Sequence, residues 1–169
     1  LAAWRGALAR EHRCDDFDVP YPTLNFGAIR GGDNANRICG HCDLLLDLRF
    51  MPGQDTADTL AKLRATVADA IAGSGLGCEV RELMEPIPAY ATARDGALVR
   101  VAEAITGERA GAVTFATEAP FLTALGVETI VLGPGHIAQA HQPDEYVEID
   151  ALLRMVDTLA QFIRRLCSA

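Results

Sequence analysis

The sequence has little positive charge and no long apolar run. Lys and Arg number 15 against 23 Asp and Glu, so the formal net charge is −8 at pH 7. Nucleic acids and anionic lipid surfaces are bound mainly through positive charge, so we expect neither as a partner. Because no apolar stretch reaches about 18 residues, the sequence also predicts no membrane span.

The sequence has no initiator methionine and no secretory signal. It begins at Leu1 inside an amphipathic helical pattern, so we expect it to be a piece of a longer protein. Its five cysteines are an odd count, and without a secretory signal we expect reduced thiols in the cytoplasm. Half of the residues are hydrophobic and 22% are charged, which is typical of a folded globular chain.

Residues 1–86 are predicted to form an α+β domain in the order helix, strand, strand, helix, strand. Asp55 or Thr56 can cap the second helix, and Pro86 and Pro88 prevent the sheet from continuing, which places a domain boundary there. The predicted elements are a helix to about residue 12, strands at 23–29, 41–50 and 78–83, and a helix at 55–72.

Residues 87–169 are predicted to form an α/β segment, because helical and strand patterns alternate along them. The strand at 129–132 is strongly apolar and is typical of a strand buried in a parallel sheet. The predicted elements are helices at 96–105, 120–125 and 149–166, and strands at 112–116 and 129–132.

Two short motifs look functional but have simpler interpretations. Cys39 and Cys42 form a C-x-x-C pair. A thioredoxin-type site needs that pair at a helix N-terminus, and a zinc ribbon needs a second pair, whereas this pair leads into a predicted strand and stands alone. Gly73, Gly75 and Gly77 resemble a dinucleotide loop but follow a helix and precede a strand, the reverse of the required order, which predicts a plain connection.

His41 and Asp43 form an H-x-D pair on a predicted strand. Alternate side chains of a strand share a face, so both side chains could reach one metal ion. The simpler interpretation is a solvated histidine and aspartate on a half-buried strand. The spacing alone leaves both open, since short ligand pairs are common by chance.

The strongest signal is the loop at residues 133–146, directly after the strongly apolar predicted strand. Ligands of α/β proteins bind at the carboxyl ends of parallel strands, and two glycines in this loop permit close backbone approach. His141 lies in the loop beside Asp144 and Glu145, and an imidazole held by a carboxylate is a good zinc ligand. A solvated side chain is the simpler interpretation, because one histidine cannot form a metal site.

Several segments together resemble the M20 metallopeptidase family. Residues 116–121, 131–135 and 139–146 resemble the C-terminal part of that family. Residues 20–39 and 47–53 resemble its lid, or dimerisation, domain. The resemblance covers nearly the whole chain in order, and within the family it is strongest to members that deacetylate an acylated amino acid.

The resemblance implies a two-metal amidohydrolase, with zinc or cobalt, that converts N-acetyl-L-ornithine to L-ornithine and acetate in arginine biosynthesis. A water molecule activated by the metals and by a glutamate base would attack the acetyl carbonyl. Of the family's catalytic base and metal ligands, only the late histidine has a counterpart here, His141. The resemblance therefore implies no catalytic residue in this chain, and it implies a homodimer formed through the lid.

The resemblance also implies that two lid residues bind substrate. Asn36 and Arg49 match positions directed at substrate, and the planar guanidinium of Arg49 suits a carboxylate. The simpler interpretation of Arg49 is an ion pair with Asp47 or Asp43 on the strand surface. The family's metal-binding H-x-D lies in a different segment, which argues against His41 and Asp43 as ligands.

In the second half, the resemblance implies that Gly133 and Gly135 offer backbone groups to the substrate. From its charge, we expect Glu118 to attract the ammonium group of the substrate side chain. The simpler interpretation of Glu118 is a carboxylate stabilised by the dipole at a helix N-terminus.

Two other functions remain open from the sequence. One is a noncatalytic lid-type module, whose strand edge pairs with its twin across a two-fold axis. The other is a related deacylase that acts on a different N-acyl amino acid, such as N-succinyl-diaminopimelate. Hydrolysis assays with added zinc and a measurement of dimer formation distinguish these functions.

Overall fold

The computed structural model describes residues 1–167, which combine helices with a small sheet. The chain divides into two compact units. Unit 1 comprises residues 1–90 and 113–116, and unit 2 comprises residues 91–112 and the described part of 117–169. The mixture of helix and sheet confirms the expected combination of α and β elements, whereas the domain boundary at residues 86 and 87 stays a prediction.

Unit 1 is built on an antiparallel hairpin, in which β1 (Thr23–Gly31) pairs with β2 (Cys42–Arg49). The first residue of β1 lies opposite the last residue of β2, and a bulge interrupts the register between Phe26 and Ala28. Burial alternates along β1, where Leu24 is buried while its two neighbours are more exposed. The bounds of both strands lie within two residues of the predicted ones, whereas the first four residues of β2 are all exposed.

Two helices complete the elements of unit 1. In α1 (Ala2–Glu11), Leu8 is buried on the predicted apolar face. In α2 (Thr56–Ile71), Leu63 is buried, and the Asp55 carboxylate accepts a hydrogen bond of 2.9 Å from the backbone N–H three residues later. This is an N-cap, so the expected start of α2 at Asp55 or Thr56 is confirmed.

Unit 2 consists of helices of different lengths joined by long connections. Its elements are α3 (Ala97–Thr106), α4 (Ala119–Ala124), a 3₁₀ turn (Ile137–Gln139) and α5 (Ile149–Leu166). Helix α3 contacts α5, and its Val99 and Ala102 are buried. No helix within residues 1–167 is long and apolar enough to span a lipid bilayer.

Three predicted strands are wrong within the described residues. Residues 78–83, 112–116 and 129–132 form no strand, and the one sheet in residues 1–167 is the two-stranded antiparallel pair. A strand is stabilised by hydrogen bonds to a neighbouring strand, and these segments have none. Val131 and Leu132 are 46% and 40% exposed, so the expected buried parallel strand is wrong as well.

Candidate functional site

The loop between β1 and β2 presents Asn36 on the surface of unit 1, and every residue of this loop is exposed. Local bonds fold it: the Asn36 N–H donates to the side-chain oxygen of Asn34 at 3.3 Å, and Arg37 pairs with Asp33 at 3.0 Å. A shallow depression of about 400 Å³ lies over residues 31–35. Within residues 1–167 the Asn36 side chain has no hydrogen-bonding partner, so its amide is free to bind a ligand.

Arg49, the last residue of β2, is anchored within unit 1. Its Nε donates to Asp47 Oδ2 at 2.9 Å, and its Nη1 donates to the carbonyl oxygen of Thr114 at 3.1 Å. The ion pair with Asp47 is one of the two that the sequence left open, whereas Asp43 contacts His41 at 3.1 Å. A guanidinium carries five N–H donors, so Arg49 retains donors for a carboxylate.

Glu118 immediately precedes α4 and is exposed. Its carbonyl oxygen accepts a hydrogen bond of 3.1 Å from the Phe121 N–H, but its carboxylate makes no capping hydrogen bond. The hydroxyl oxygen of Thr117 instead accepts from the Ala119 N–H at 3.2 Å. The Glu118 carboxylate therefore lies at a helix start, as the simpler interpretation expects, and remains open to a cationic ligand.

The two glycines of the 133–146 loop differ in what they require. Gly135 has a φ of +87°, and a Cβ added there would lie 3.4 Å from Val147 Cγ2, so a side chain would be strained. A Cβ on Gly133 would meet nothing within 4 Å. Between the glycines and His141, His136 Nδ1 accepts from the Ala138 N–H at 3.1 Å and begins the 3₁₀ turn.

His141 is exposed and adopts a left-handed backbone conformation with φ of 61°. Such a conformation is uncommon for a residue with a side chain. The His141 N–H donates to Glu145 Oε2 at 3.1 Å, which stabilises this backbone. We expected a carboxylate to hold the imidazole, but the Glu145 bond is made to the main chain, which leaves the ring exposed.

The described residues do not themselves fit a metal ion. Within residues 1–167 no group of three or more His, Cys, Asp or Glu side chains is arranged to hold one. Protein metal sites with zinc use three or four protein ligands, and His141 supplies one. His41 and Asp43 form only a solvated pair, with side chains 80% and 58% exposed.

The predicted site residues divide between the two units. Unit 1 contains Asn36 and Arg49. Unit 2 contains the other four, which are Glu118, Gly133, Gly135 and His141. Among the described residues, no hydrogen bond or ion pair joins Glu118 to the 133–146 loop.

One structural carboxylate was missed by the sequence reasoning. Glu128 Oε1 accepts a hydrogen bond of 3.1 Å from the Leu98 N–H and so caps α3. Gly96 makes room for it, because a Cβ at that position would contact the Glu128 carboxylate. The cap and the helix are 30 residues apart. A local capping pattern therefore gives no signal for it.

Comparison with known proteins defines the class of the first part of the chain. The family described as the peptidase dimerisation domain, of the M20 type, matches residues 1–73. This match confirms the resemblance to the M20 family that the residues indicate. Residues 1–73 are therefore similar to the M20 peptidase dimerisation domains.

The whole chain is similar to acetylornithine deacetylases. It is 44% identical over 168 residues to the acetylornithine deacetylase of Edwardsiella ictaluri (strain 93-146), covering 99% of this chain and 43% of that protein. It is 42% identical over 169 residues to that of Proteus mirabilis (strain HI4320), covering 100% and 43%. The corresponding protein of Pasteurella multocida (strain Pm70) is 39% identical over 168 residues, covering 99% and 44%. The chain thus spans less than half the length of these curated relatives.

Proposed function

We propose that the protein carrying this chain is an M20-type amidohydrolase that converts N-acetyl-L-ornithine to L-ornithine and acetate in the cytoplasm. The observation that supports this most is the 39–44% identity, over nearly the whole chain, to proteins named acetylornithine deacetylase. The chain spans less than half of those relatives, so the proposed activity belongs to the longer polypeptide. This chain would supply part of the substrate site.

The charges of the exposed side chains match those of the proposed substrate. N-acetyl-L-ornithine carries a carboxylate at one end and an ammonium group at the other. In the proposal, Arg49 binds the carboxylate with the donors left over from Asp47 and Thr114, and the free amide of Asn36 donates a further hydrogen bond. The uncapped carboxylate of Glu118 attracts the ammonium group.

The loop at residues 133–146 would supply backbone groups and one metal ligand. Gly133 and Gly135 are exposed, so their peptide groups are accessible to a substrate. His141 would donate one imidazole nitrogen to a zinc or cobalt centre, proposed to hold two ions. When bound, such ions lower the pKa of water and stabilise a tetrahedral oxyanion. The remaining ligands have no counterpart among the described residues, so this chain's part is binding and orientation.

We also propose that residues 1–73 pair with a second copy of the chain. The name of the matching family describes dimerisation. In the described sheet, β1 and β2 each have one edge without a strand partner. Edge strands carry unpaired N–H and C=O groups that can bind a second strand across a two-fold axis. A noncatalytic dimerisation module is the second candidate function, supported by the match of residues 1–73 to the peptidase dimerisation domain.

The test of the enzyme proposal is a chimaera. This chain replaces its matched segment in the Edwardsiella ictaluri relative, and acetate release from N-acetyl-L-ornithine is measured with zinc or cobalt. We expect activity. Arg49→Ala should raise KM about tenfold or more, because a charged hydrogen bond to a carboxylate is lost. His141→Ala should reduce metal content and kcat, whereas His136→Ala, which removes only the cap of the 3₁₀ turn, should change neither by more than about twofold.

The outcomes separate the candidate functions. A folded chimaera that hydrolyses another N-acyl amino acid but not N-acetyl-L-ornithine would contradict the proposed substrate. A folded chimaera inactive on all of them, with this chain dimeric by light scattering, would support the noncatalytic module instead. Equal metal content in the wild type and in His141→Ala would contradict the metal role of that histidine.

A further inference from the structure

The C-x-x-C pair at the start of β2 has no part in the proposed function. Cys39 lies in the loop between β1 and β2, and Cys42 is the first residue of β2. Both are exposed and both are free thiols. The pair leads into a strand, as the sequence predicts, so it lacks the helix N-terminus of a thioredoxin-type site. A different use of the pair is consistent with its geometry.

The hydrogen bond of Cys39 places the two cysteines within reach of each other. The Cys39 thiol donates to the carbonyl oxygen of His41 at 2.9 Å. That oxygen belongs to the trans peptide that joins His41 to Cys42, and it lies about 2.8 Å from the Cα of Cys42. Cys39 Sγ is therefore within about 6 Å of that Cα. Side-chain rotation and a small movement of the loop bring two such sulfurs to bonding distance.

Two consecutive glycines lie beside the pair and leave it uncovered. A Cβ on Gly31 would lie 3.0 Å from Cys42 Cβ and 2.8 Å from the carbonyl oxygen of His41. A Cβ on Gly32 would lie 3.8 Å from Cys39 Sγ. Side chains at these two positions would crowd the cysteines. Their absence gives both thiols access to solvent and to each other.

We propose that Cys39 and Cys42 form a reversible intramolecular disulfide, in exchange with a small-molecule disulfide of the glutathione type. One cysteine thiolate attacks the S–S bond of the oxidant, which forms a mixed disulfide and releases one thiol. The second thiolate then attacks the protein sulfur of the mixed disulfide and releases the second thiol. The two protein sulfurs lose two electrons, the oxidant gains them, and the two protons leave with the released thiols.

The disulfide would close a ring at the base of the loop that carries Asn36. An exposed disulfide of this kind is readily reduced, which is the property of regulatory rather than structural disulfides. The second cysteine also reacts with the mixed disulfide in preference to a second glutathione molecule, because its attack is intramolecular. This distinguishes the pair from the isolated exposed cysteine at position 78.

Trypsin provides a direct test on the whole chain. Cleavage after Arg37 and Arg49 releases peptide 38–49, which contains both cysteines of the pair and no other, while Cys78 lies alone in peptide 65–81. The chain is incubated with oxidised glutathione, alkylated, digested and analysed by mass spectrometry. We expect peptide 38–49 to lose two hydrogens and carry no adduct, and peptide 65–81 to carry glutathione.

Variants make the assignment specific. Cys42→Ser should leave Cys39 as a glutathione adduct, because no second thiol can displace it, whereas Cys78→Ser should leave the disulfide in peptide 38–49 unchanged. Dithiothreitol should restore the two hydrogens. Recovery of peptide 38–49 in reduced form, with two glutathione adducts, or cross-linked to a second copy would overturn the proposal. The readout is a mass, so it is independent of the proposed hydrolase activity.

Discussion

The two units differ in how much of their apolar surface they bury. Unit 1 draws its buried apolar side chains from a helix, a strand, the segment after β2 and a second helix, namely Leu8, Leu24, Met51 and Leu63, each at 5% exposure or less. Unit 2 buries smaller side chains, namely Val99, Ala102, Ala119 and Pro120. Both units have apolar sequence patterns. The difference lies in whether the described residues include a surface against which each apolar face can pack.

Helix α5 makes this difference concrete. It runs from Ile149 to Leu166 with the predicted apolar face, yet none of its described side chains is buried. Leu153, Val156 and Ile163 are each at least 60% exposed. In unit 1, by contrast, β1 finds its partner β2 one loop away. Periodicity therefore predicts an element wherever it occurs, but burial also requires a complementary surface.

The largest expected effect tests this contrast with one substitution made in each unit. Leu24→Ala removes a side chain that is 2% exposed and should lower the free energy of unfolding by about 2–4 kcal/mol, from lost transfer energy and a residual cavity. Leu153→Ala, at a position 60% exposed in α5, should change it by less than about 0.5 kcal/mol. Urea unfolding measures both. Equal losses would contradict the contrast.

The next effect concerns the close approach of Gly96 to Glu128 in unit 2. Gly96→Ala would place a Cβ against the Glu128 carboxylate and 2.8 Å from the carbonyl oxygen of Ala93, so the cap of α3 must shift. We expect a loss of about 1–3 kcal/mol in the free energy of unfolding, as for overpacking. Gly111→Ala is the matched control, because its Cβ would meet nothing within 4 Å. A neutral Gly96→Ala would show that the Glu128 cap is not tight.

What the sequence predicts correctly is local. The cap at Asp55, the buried Leu8 and Leu24, and the bounds of α5 all depend on residues within a few positions of one another. The strands predicted at 78–83 and 129–132 are wrong, because their patterns are real but no strand lies beside them in residues 1–167. Strand formation is a property of a pair, and a single sequence window describes one member only.

At the candidate site too, the sequence predicts local contacts better than contacts between distant residues. From the sequence, Asp47 and Asp43 were both open as ion-pair partners of Arg49, and the structure shows the pair with Asp47. Sequence reasoning did not predict the bond from Arg49 to Thr114, which joins residues 65 positions apart. It placed a carboxylate near His141 but assigned it to the imidazole, because backbone conformation at His141 cannot be read from residue types.

A smaller effect tests whether a distant contact stabilises unit 1 more than a local one. Arg49→Gln removes both the Asp47 pair and the bond to Thr114, and we expect a loss of about 0.5–1.5 kcal/mol in the free energy of unfolding. Arg37→Gln removes only the exposed pair with Asp33 four residues away, and should cost less than about 0.5 kcal/mol. Urea unfolding of both variants decides. A larger loss for Arg37→Gln would contradict the ranking.

The smallest effect is electrostatic and depends on pH. The hydrogen bond from Lys62 to Asp58, at 2.9 Å on α2, and the charge of Asp58 raise the pKa of Lys62 above its ordinary value of 10.5. Because the folded state favours the charged form of Lys62, this interaction stabilises the protein below pH 10.5. The stabilisation is lost as the pH rises through the raised pKa of the folded state. Lys62→Gln should therefore lower Tm slightly at pH 7. At a pH well above 10.5 it should leave Tm unchanged. In 1 M salt the decrease in Tm at pH 7 should be smaller.

Helix α5 supplies the matched control for this pair. Arg154 lies four residues after Asp150, the same spacing as the Asp58 and Lys62 pair, but no ion pair joins them among the described residues. Arg154→Gln should leave Tm unchanged at both pH values. If Arg154→Gln and Lys62→Gln shift Tm equally at pH 7, sequence spacing rather than the observed contact determines the effect. The contrast between the two units would then not extend to charged side chains. An ion pair that is formed in unit 1 and the same spacing without an ion pair in unit 2 would have equal effects, even where the contrast holds for apolar side chains.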